Sequence, residues 1–327
     1  MAERKSKTKP KKAPPDKLLV SVILSFRNEE DVLSELIGRL ENVFKSDNTD
    51  YELIFVNDDS DDGSLDILLA ARERNNRVKI INMSRRFGHY ACILAGMARA
   101  SGEAVINMDS DLQDPPEVIA EMLAKWREGA DSVYTVRTFR EGETTFRKTV
   151  TRAAYRVIHA VSDLSLPVEA GDFRLLSRRA IEEILRLGES QPYLRGLMSW
   201  VGFKQVPVYY QRAARSAGET HYPGTFSWGA LENFMTGFTS FSMAPIYGVL
   251  VVGIFAFAMS ALGLLAMLFG LPLPDGAGMV LYLLLLWGGL MGGVGVVGVY
   301  ISRIYSDVRG RPSYIIRDTI GFPPRND

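Results

Sequence analysis

Two long stretches near the C-terminus carry no charged side chain, and they constrain the architecture more than any other feature. Residues 243–269 and 276–302 contain no Asp, Glu, Lys or Arg. About 20 apolar residues are enough for a helix to cross the hydrocarbon core of a bilayer. Pro272, Pro274 and Asp275 lie between the two stretches and are typical turn formers. The sequence therefore predicts a hairpin of two transmembrane helices over residues 242–302.

The charges around this hairpin predict its orientation. Basic residues concentrate on the cytoplasmic side of membrane helices. The turn of the hairpin has no Lys or Arg, whereas Arg303 and Arg309 follow the second stretch. We therefore expect a multi-pass protein of the inner (cytoplasmic) membrane, with a cytoplasmic domain at 18–224 and a cytoplasmic tail at 303–327.

Two further segments have a composition suited to a membrane surface. Residues 1–17 are rich in Lys and Pro, which predicts a disordered basic tail that either contacts anionic lipid or only aids solubility. In residues 225–241, apolar side chains such as Trp228, Leu231 and Phe238 recur at helical spacing. This pattern predicts an amphipathic helix that either lies in the membrane interface or packs against the cytoplasmic domain.

The overall composition narrows the possible partners. The chain has 38 basic and 38 acidic residues, and this balance argues against a nucleic-acid partner, which would favour excess positive charge. Cys92 is the single cysteine, so the chain cannot form an internal disulfide, as expected in a reducing compartment.

Strand and helix patterns alternate through the first part of the chain. The apolar runs that predict strands lie at residues 18–25, 51–56, 78–83, 104–108 and 132–136. Apolar residues at helical spacing lie between them, at residues 28–43, 64–74 and 90–100, and a further helix is expected after Pro115-Pro116. This alternation is typical of an α/β domain with a mostly parallel sheet and helices on both faces.

Three polar motifs follow predicted strands: Asn57-Asp58-Asp59, residues 84–89, and Asp109-Ser110-Asp111. Because ligands bind beyond the carboxyl ends of such strands, we expect these motifs to form one site. Carboxylates one residue apart can hold Mg²⁺ together with substrate phosphates, although Asp114 could instead cap the helix after it. The chain has neither a Gly-rich dinucleotide motif nor a P-loop lysine, which disfavours hydride transfer.

Four segments together resemble the motifs of inverting family-2 glycosyltransferases with the Rossmann-like GT-A fold. They are residues 21–30 (SVILSFRNEE), 55–64 (FVNDDSDDGS), 84–89 (SRRFGH) and 107–117 (NMDSDLQDPPE). Residues 195–203 (RGLMSWVGF) and the uncharged C-terminal stretches resemble the polyprenyl-phosphate glycosyltransferases in particular. This group includes dolichyl-phosphate mannose synthases and bactoprenol glucosyltransferases. The Gln-x-x-Arg-Trp motif of processive polysaccharide synthases is absent, which disfavours a polymerase.

The resemblance implies a donor site. Its nucleotide-sugar contacts would be Asp58, Asp109, Arg212 and Arg215. Asp109, Asp111 and Gln113 would hold Mg²⁺ or Mn²⁺ on the diphosphate, and Asp111 would thereby have a catalytic role. The family commonly reads Val-Asp-Asp-Gly-Ser at the first acidic motif. This chain departs from that pattern with Asn57 in place of an acid and Asp59 in place of the glycine.

The resemblance also implies an acceptor site. Arg137, Arg147 and Thr151 match acceptor-phosphate positions, and Asp172 would be the catalytic residue at the reaction centre. A phosphate monoester has its second pKa near 6, so the acceptor is already an anion at neutral pH. Asp172 would therefore act either as a base or only to orient the acceptor or a sugar hydroxyl. The remaining alternative is a structural ion pair between Asp172 and Arg174.

The resemblance predicts transfer of one sugar from a nucleotide-sugar to a polyprenyl phosphate, with inversion. A UDP-hexose such as UDP-glucose and an undecaprenyl acceptor are preferred, because residues 303–312 and the paired stretches resemble the bactoprenol subgroup. The alternatives are a GDP-mannose-dependent synthase and a non-catalytic membrane scaffold. The glycine pairs at 288–289 and 292–293 would permit close helix contact, which favours a homo-oligomer.

Overall fold

A computed structural model of the chain describes residues 18–137, 170–189, 193–211, 249, 251–252, 255, 269 and 276–323. The predicted tail at 1–17 and the predicted interfacial helix at 225–241 lie outside these residues. Four predicted site residues also lie outside them, namely Arg147, Thr151, Arg212 and Arg215.

The predicted alternation of strands and helices is confirmed in the first part of the chain. Its strands are β1 (Leu19–Phe26), β2 (Asp50–Asn57), β3 (Val78–Met83), β4 (Ala104–Asp109) and β5 (Ser132–Arg137). Its helices are α1 (Glu30–Asp47), α2 (Ser64–Arg74), α3 (His89–Arg99) and α4 (Val118–Arg127). The later described elements are β6 (Ala170–Ser177), α5 (Arg178–Leu187), α6 (Leu194–Trp200), β7 (Gln205–Tyr210), α7 (Gly276–Arg309) and β8 (Ile316–Ile320).

The strands of the described residues form one sheet in the order β7-β5-β6-β4-β1-β2-β3-β8. Strand β1 is parallel to β2 and β4, and β2 is parallel to β3. Strand β6 is antiparallel to β4 and β5, and β8 is antiparallel to β3. Because β1 to β4 run in one direction, their carboxyl ends meet at one edge of the sheet.

Helices cover both faces of the sheet, as expected for strands that read as continuous apolar runs. On one face, Val22 and Leu24 of β1 belong to a core formed with α1, α2 and α4. On the other face, the neighbouring Ile23 belongs to a core formed with α3, α5 and α6. All three side chains are fully buried, so β1 lies at the centre of the domain.

A buried polar cluster joins the strands at the edge opposite the carboxyl ends. Glu52 is buried and pairs with Lys79 at 2.5 Å. The same carboxylate accepts hydrogen bonds from the Ser21 hydroxyl and from the backbone N–H of Ser101. Gly102 follows and lies directly against the backbone of β1. This cluster fixes the start of β4 relative to β1, β2 and β3.

The C-terminal segment differs from the tail expected at 303–327. Residues 316–320 form β8, which pairs with β3 in a register that sets Ile320 opposite Ile80. Without this strand, the backbone groups of β3 would form an open edge. Ile320 also packs against the core that β1 shares with α1. The segment after α7 is therefore an integral part of the sheet.

The predicted transmembrane hairpin at 242–302 is not found among the described residues. Helix α7 has 34 residues and includes the second uncharged stretch. Several of its side chains, and most of residues 243–269, lie outside the described part of the chain. Where the chain is described, no helix is both long and apolar enough to cross a membrane.

Candidate active site

The parallel strands bring the predicted acidic motifs to one edge of the sheet. In the register of β1, Phe26 lies opposite Asn57 of β2, and Ser25 lies opposite Asp109 of β4. Asn57-Asp58 and Asp109-Ser110-Asp111 therefore flank the end of β1 on its two sides. The structure thus confirms that these motifs converge, as the strand order required.

Asp109 lies at the centre of a concentration of negative charge. Continuing the register of β4 and β6 beyond Asn107 and Arg174 places Asp109 opposite Asp172. The His89 Nε2 atom, at the start of α3, lies 3.6 Å from Asp109 Oδ1. Burial raises the pKa of Asp109 to about 6. The electrostatic interaction with His89 opposes this rise, and three other acids add to it. These acids are Asp114, Asp172 and Asp111.

The donor atoms in this region suit a hard divalent cation. Asp109, Asp111 and Gln113 offer carboxylate and amide oxygens, which are the ligands that Mg²⁺ and Mn²⁺ prefer. Asp111 Oδ1 accepts a hydrogen bond of 3.1 Å from the Gln113 backbone N–H, and Leu112 between them has a φ of 58°. No group of three His, Cys, Asp or Glu side chains in the described residues forms a ready-made metal centre. The arrangement fits a cation that substrate phosphates and water complete.

Asp114 does not cap the following helix. Helix α4 begins at Val118, and its N-cap position makes no side-chain hydrogen bond. Asp114 is fully buried and instead accepts a hydrogen bond from the Tyr210 hydroxyl at the end of β7. The capping alternative is therefore wrong, because this carboxylate connects the acidic loop to the far strand of the sheet.

Asp172 is held by a forked contact that the sequence did not predict. Arg195 in α6 donates from Nε to Asp172 Oδ1 at 2.6 Å and from Nη2 to Oδ2. Such a planar pair fixes both the position and the rotation of a carboxylate. The side chain of Asp172 is 17% exposed, so it remains accessible to a ligand. Arg195 was visible in the sequence only as the first residue of the motif at 195–203.

The alternative partner, Arg174, lies beneath the site. Its side chain is 1% exposed, and its guanidinium lies over the Tyr134 ring at 5.6 Å. Burial lowers the pKa of Arg174 to about 10, and the charge of Asp172 opposes that change. The Nε and Nη1 atoms of Arg174 make no hydrogen bond within the described residues. Arg174 therefore contributes positive charge under the acids, while Arg195 makes the direct contact.

Asp58 connects two loops at the carboxyl ends of the parallel strands. Its carboxylate accepts hydrogen bonds from the backbone N–H groups of Phe87 at 2.7 Å and Gly88 at 3.0 Å. Gly88, the residue before α3, has a φ of 95°, a backbone conformation that favours glycine. The side chain of Asp58 is only 6% exposed. The predicted contact between Asp58 and the nucleotide stays a prediction, and the observed role of Asp58 is to join these loops.

The two departures from the family motif have structural reasons. Asn57 donates from Nδ2 to Asn82 Oδ1 at 3.1 Å, which an ionised acid could not do, and its Oδ1 accepts from the Ser60 N–H at 2.8 Å. Asp59 has a φ of 62°, which lies in the left-handed region where the family commonly has glycine. Aspartate tolerates this region better than most residues. The loop thus retains its conformation with different side chains.

The other acids of this loop hold it against the end of β1. The Asn28 side chain donates to Asp61, and the Asp61 N–H donates back to Asn28 Oδ1 at 3.0 Å. The Gly63 N–H donates to Glu30 Oε2 at 2.7 Å. The carboxylate of Asp62 accepts hydrogen bonds from the hydroxyl and the backbone N–H of Ser64, the first residue of α2. These contacts account for the acidic composition without assigning every acid to a ligand.

The predicted acceptor site is described only at its margin. Arg137 is the last residue of β5 and lies opposite Tyr210 of β7. Its side chain, together with Arg147 and Thr151, lies outside the described residues. Arg212 and Arg215, which the resemblance assigns to the donor site, also lie outside the described residues, because the description after β7 ends at residue 211. The roles of these residues stay predictions.

Comparisons with known proteins agree with this fold. Residues 21–185 match the model of glycosyl transferase family 2. An uncharacterized glycosyltransferase of Bacillus subtilis is 43% identical over 310 residues, which cover 92% of this chain and 94% of the relative. A prophage-derived bactoprenol glucosyl transferase of Shigella flexneri is 34% identical over 304 residues, or 91% of this chain and 97% of the relative.

A solved structure also aligns with the chain. Glucosyl-3-phosphoglycerate synthase from Mycobacterium tuberculosis, in complex with Mn²⁺, uridine-diphosphate-glucose and phosphoglyceric acid, aligns with a TM-score of 0.45 at 19% identity. The alignment covers 68% of this chain and 80% of that chain, and it is too weak to assign a ligand. The family model and the full-length relatives are decisive: this chain belongs to glycosyl transferase family 2 and is a glycosyltransferase with a GT-A α/β fold.

Proposed function

We propose that this enzyme transfers one sugar from a UDP-hexose to a polyprenyl phosphate, with inversion at the anomeric carbon. The observation that carries the proposal is the electrostatic interaction of Asp172, which Arg195 holds by two hydrogen bonds, with Asp109 at the end of β4. A carboxylate suited to the acceptor side thus adjoins the acids suited to the donor diphosphate. The choice of acceptor is supported by the similarity to bactoprenol glucosyl transferases, which extends over 91% of the chain.

The acids at the end of β4 would form the donor side. Asp109, Asp111 and Gln113 would hold a divalent cation, Mg²⁺ or Mn²⁺, on the diphosphate. When bound, this cation would offset the charge that develops on the leaving nucleoside diphosphate. Because Asp109 lies among other acids, their charges repel one another, and a cation would relieve that repulsion. Arg212 and Arg215 would add positive charge from the segment after β7.

The acceptor side requires positioning more than proton transfer. An oxygen of the acceptor phosphate would attack the anomeric carbon on the face opposite the diphosphate. A carbon–oxygen bond to the acceptor forms as the bond to the diphosphate breaks, which inverts the configuration. The acceptor is already anionic near neutral pH. Asp172 would therefore orient the acceptor or a sugar hydroxyl, while Arg137, Arg147 and Thr151 would bind the phosphate.

A lipid acceptor requires the active site to work at a membrane surface. We propose the cytoplasmic face of the inner membrane, with support from the uncharged stretches at 243–269 and 276–302 and from the arginines that follow them. Association of several copies through these stretches is part of the same proposal. A GDP-mannose-dependent synthase and a non-catalytic membrane scaffold are the alternatives to be tested.

A donor screen tests the proposed function. Purified protein is incubated with undecaprenyl phosphate and Mg²⁺, and with labelled UDP-glucose, UDP-N-acetylglucosamine or GDP-mannose in separate reactions. We expect label in the lipid fraction with a UDP-hexose, and loss of that label with EDTA or Asp111→Asn. A preference for GDP-mannose would support the mannose synthase instead. Absence of transfer from all three donors, with nucleotide binding intact, would support the scaffold.

A further inference from the structure

The C-terminal strand β8 contacts both of the loops that meet at Asp58. Asp318 within β8 makes one contact, and Ile315, the residue just before this strand, makes the other. The first leads to the loop at 57–63, and the second leads to the loop at 84–88. A segment that is remote in sequence therefore contacts the donor edge at two points.

The first contact is a row of polar side chains across three neighbouring strands. Asn57 of β2 lies opposite Asn82 of β3, and Asn82 lies opposite Asp318 of β8. Asn82 donates from Nδ2 to Asp318 Oδ1 at 2.6 Å and accepts from Asn57 Nδ2 at 3.1 Å. Asn57 Oδ1 then accepts from the Ser60 N–H at 2.8 Å. Both asparagines are buried, so neither can exchange these partners for water.

The carboxylate at the end of this row sets its direction. An ionised carboxylate only accepts hydrogen bonds, whereas an asparagine amide donates on one side and accepts on the other. Asp318 therefore requires Asn82 to turn its NH₂ outward, which leaves the Asn82 oxygen for Asn57. Asn57 must in turn offer its oxygen to Ser60. In the reversed row, the NH₂ of Asn57 would face the Ser60 N–H, and two donors would oppose each other.

The surroundings of Asp318 keep its carboxyl group ionised. Burial acts to raise the pKa of this carboxyl, but hydrogen bonds from Arg317 and Asn82 outweigh it and lower the pKa. The carboxylate is therefore ionised at neutral pH. Arg317 donates to the other oxygen, Oδ2, at 2.9 Å, so the oxygen that faces Asn82 is free of this second partner.

The second contact reinforces the first. The Ser84 N–H donates to the Ile315 carbonyl at 3.0 Å and fixes the start of the loop at 84–88. The same loop supplies the Phe87 and Gly88 N–H groups that hold Asp58. Tyr314 and Phe87 also pack against the same apolar core. Both routes from the C-terminal segment thus end at the loops around Asp58.

We propose that Asp318 is a positioning residue of the donor-nucleotide site, and that it acts through Asn82 and Asn57 on the loop at 57–63. The inference rests on the proposed function in one respect, namely that a nucleotide binds at this edge. It also means that the segment following α7 helps to shape the catalytic site.

The test compares nucleotide affinity in Asp318→Ala, Asp318→Asn and a matched control, Arg317→Ala. The control removes the other partner of Asp318 and leaves the row intact. Binding of UDP and GDP is measured by calorimetry on the full chain, together with kcat and the KM for each substrate. For Asp318→Ala we expect affinity to fall about 10-fold and the donor KM to rise with it, as for loss of a contact to a charged group. The kcat and the KM for undecaprenyl phosphate should stay unchanged.

The other variants separate positioning from folding. Asp318→Asn keeps a hydrogen-bond acceptor but no longer dictates the orientation of the Asn82 amide, so we expect an intermediate nucleotide affinity. The nucleotide affinity of Arg317→Ala should stay within twofold of the wild type. In Asn57→Ala, the further change Asp318→Ala should add nothing. Multiplicative effects, or a lower melting temperature with unchanged nucleotide affinity, would overturn the proposal. Failure of the wild type to bind either nucleotide would instead overturn the proposed function, and this inference with it.

Discussion

The contact between Arg195 and Asp172 allows a quantitative prediction about catalysis. Arg195→Ala removes two charge-assisted hydrogen bonds from Asp172, a carboxylate whose charge adds to the raised pKa of Asp109. Hydrogen bonds to charged groups are worth about 1.5–3 kcal/mol. Because the Arg195 side chain is 32% exposed, solvent screens the pair, and we take about 1.5–3 kcal/mol for both bonds together. This corresponds to a loss of about 10- to 150-fold in kcat/KM.

The assay measures initial rates of sugar transfer from UDP-glucose to undecaprenyl phosphate, with thermal unfolding followed in parallel. Arg195→Lys should recover only part of the rate, because an ammonium group cannot make the fork. Arg186→Ala is the matched control, since that arginine pairs only with the nearby, exposed Glu183 among the described residues. An Arg195→Ala enzyme with normal stability and a kcat/KM within twofold of wild type would refute the positioning role.

Three further predictions concern stability, each measured by urea unfolding. Asp59→Gly should raise the free energy of unfolding by up to about 1 kcal/mol, because it relieves a left-handed φ of 62°; a lower midpoint would contradict this. Gly102→Ala should lower the free energy of unfolding by about 3 kcal/mol or more, because the added Cβ would lie 2.6 Å from the backbone of β1. In Gly38→Ala the added Cβ meets no atom within 4 Å, so this control should stabilise α1 by about 0.5–1 kcal/mol. Hydrogen bonding to Arg179 lowers the pKa of Asp131, so stability should fall as pH drops from about 4 through the folded pKa, and Asp131→Asn should lose part of this dependence.

Local patterns predicted the first half of the sheet well. Strands such as β1 and β2 are buried on both faces, so each is a continuous apolar run that needs little context to recognise. Strand β8 could not be recognised in this way, because Ile316–Ile320 is short and includes exposed charged residues. Its conformation depends on the open edge of β3, which is more than 200 residues earlier in the chain. Pairing over such a distance leaves no local signal.

The site was predictable in its location more than in its contacts. Parallel strands bring Asp58 and Asp109 to one edge whatever their side chains do. The partners of these acids come from other elements, as with Arg195 of α6 and the loop N–H groups that hold Asp58. The departures at Asn57 and Asp59 became understandable only when the φ angle and the neighbouring strand were known.

The most direct test of the central claim is a mass spectrum of the lipid extracted after reaction of the enzyme with UDP-glucose and undecaprenyl phosphate. The account predicts a product heavier than the acceptor by one hexose unit, formed only when enzyme, both substrates and a divalent cation are present. The same product should be lost in Asp111→Asn. Unmodified lipid together with free glucose, or a lipid carrying several hexose units, would contradict the transfer of a single sugar to a polyprenyl phosphate.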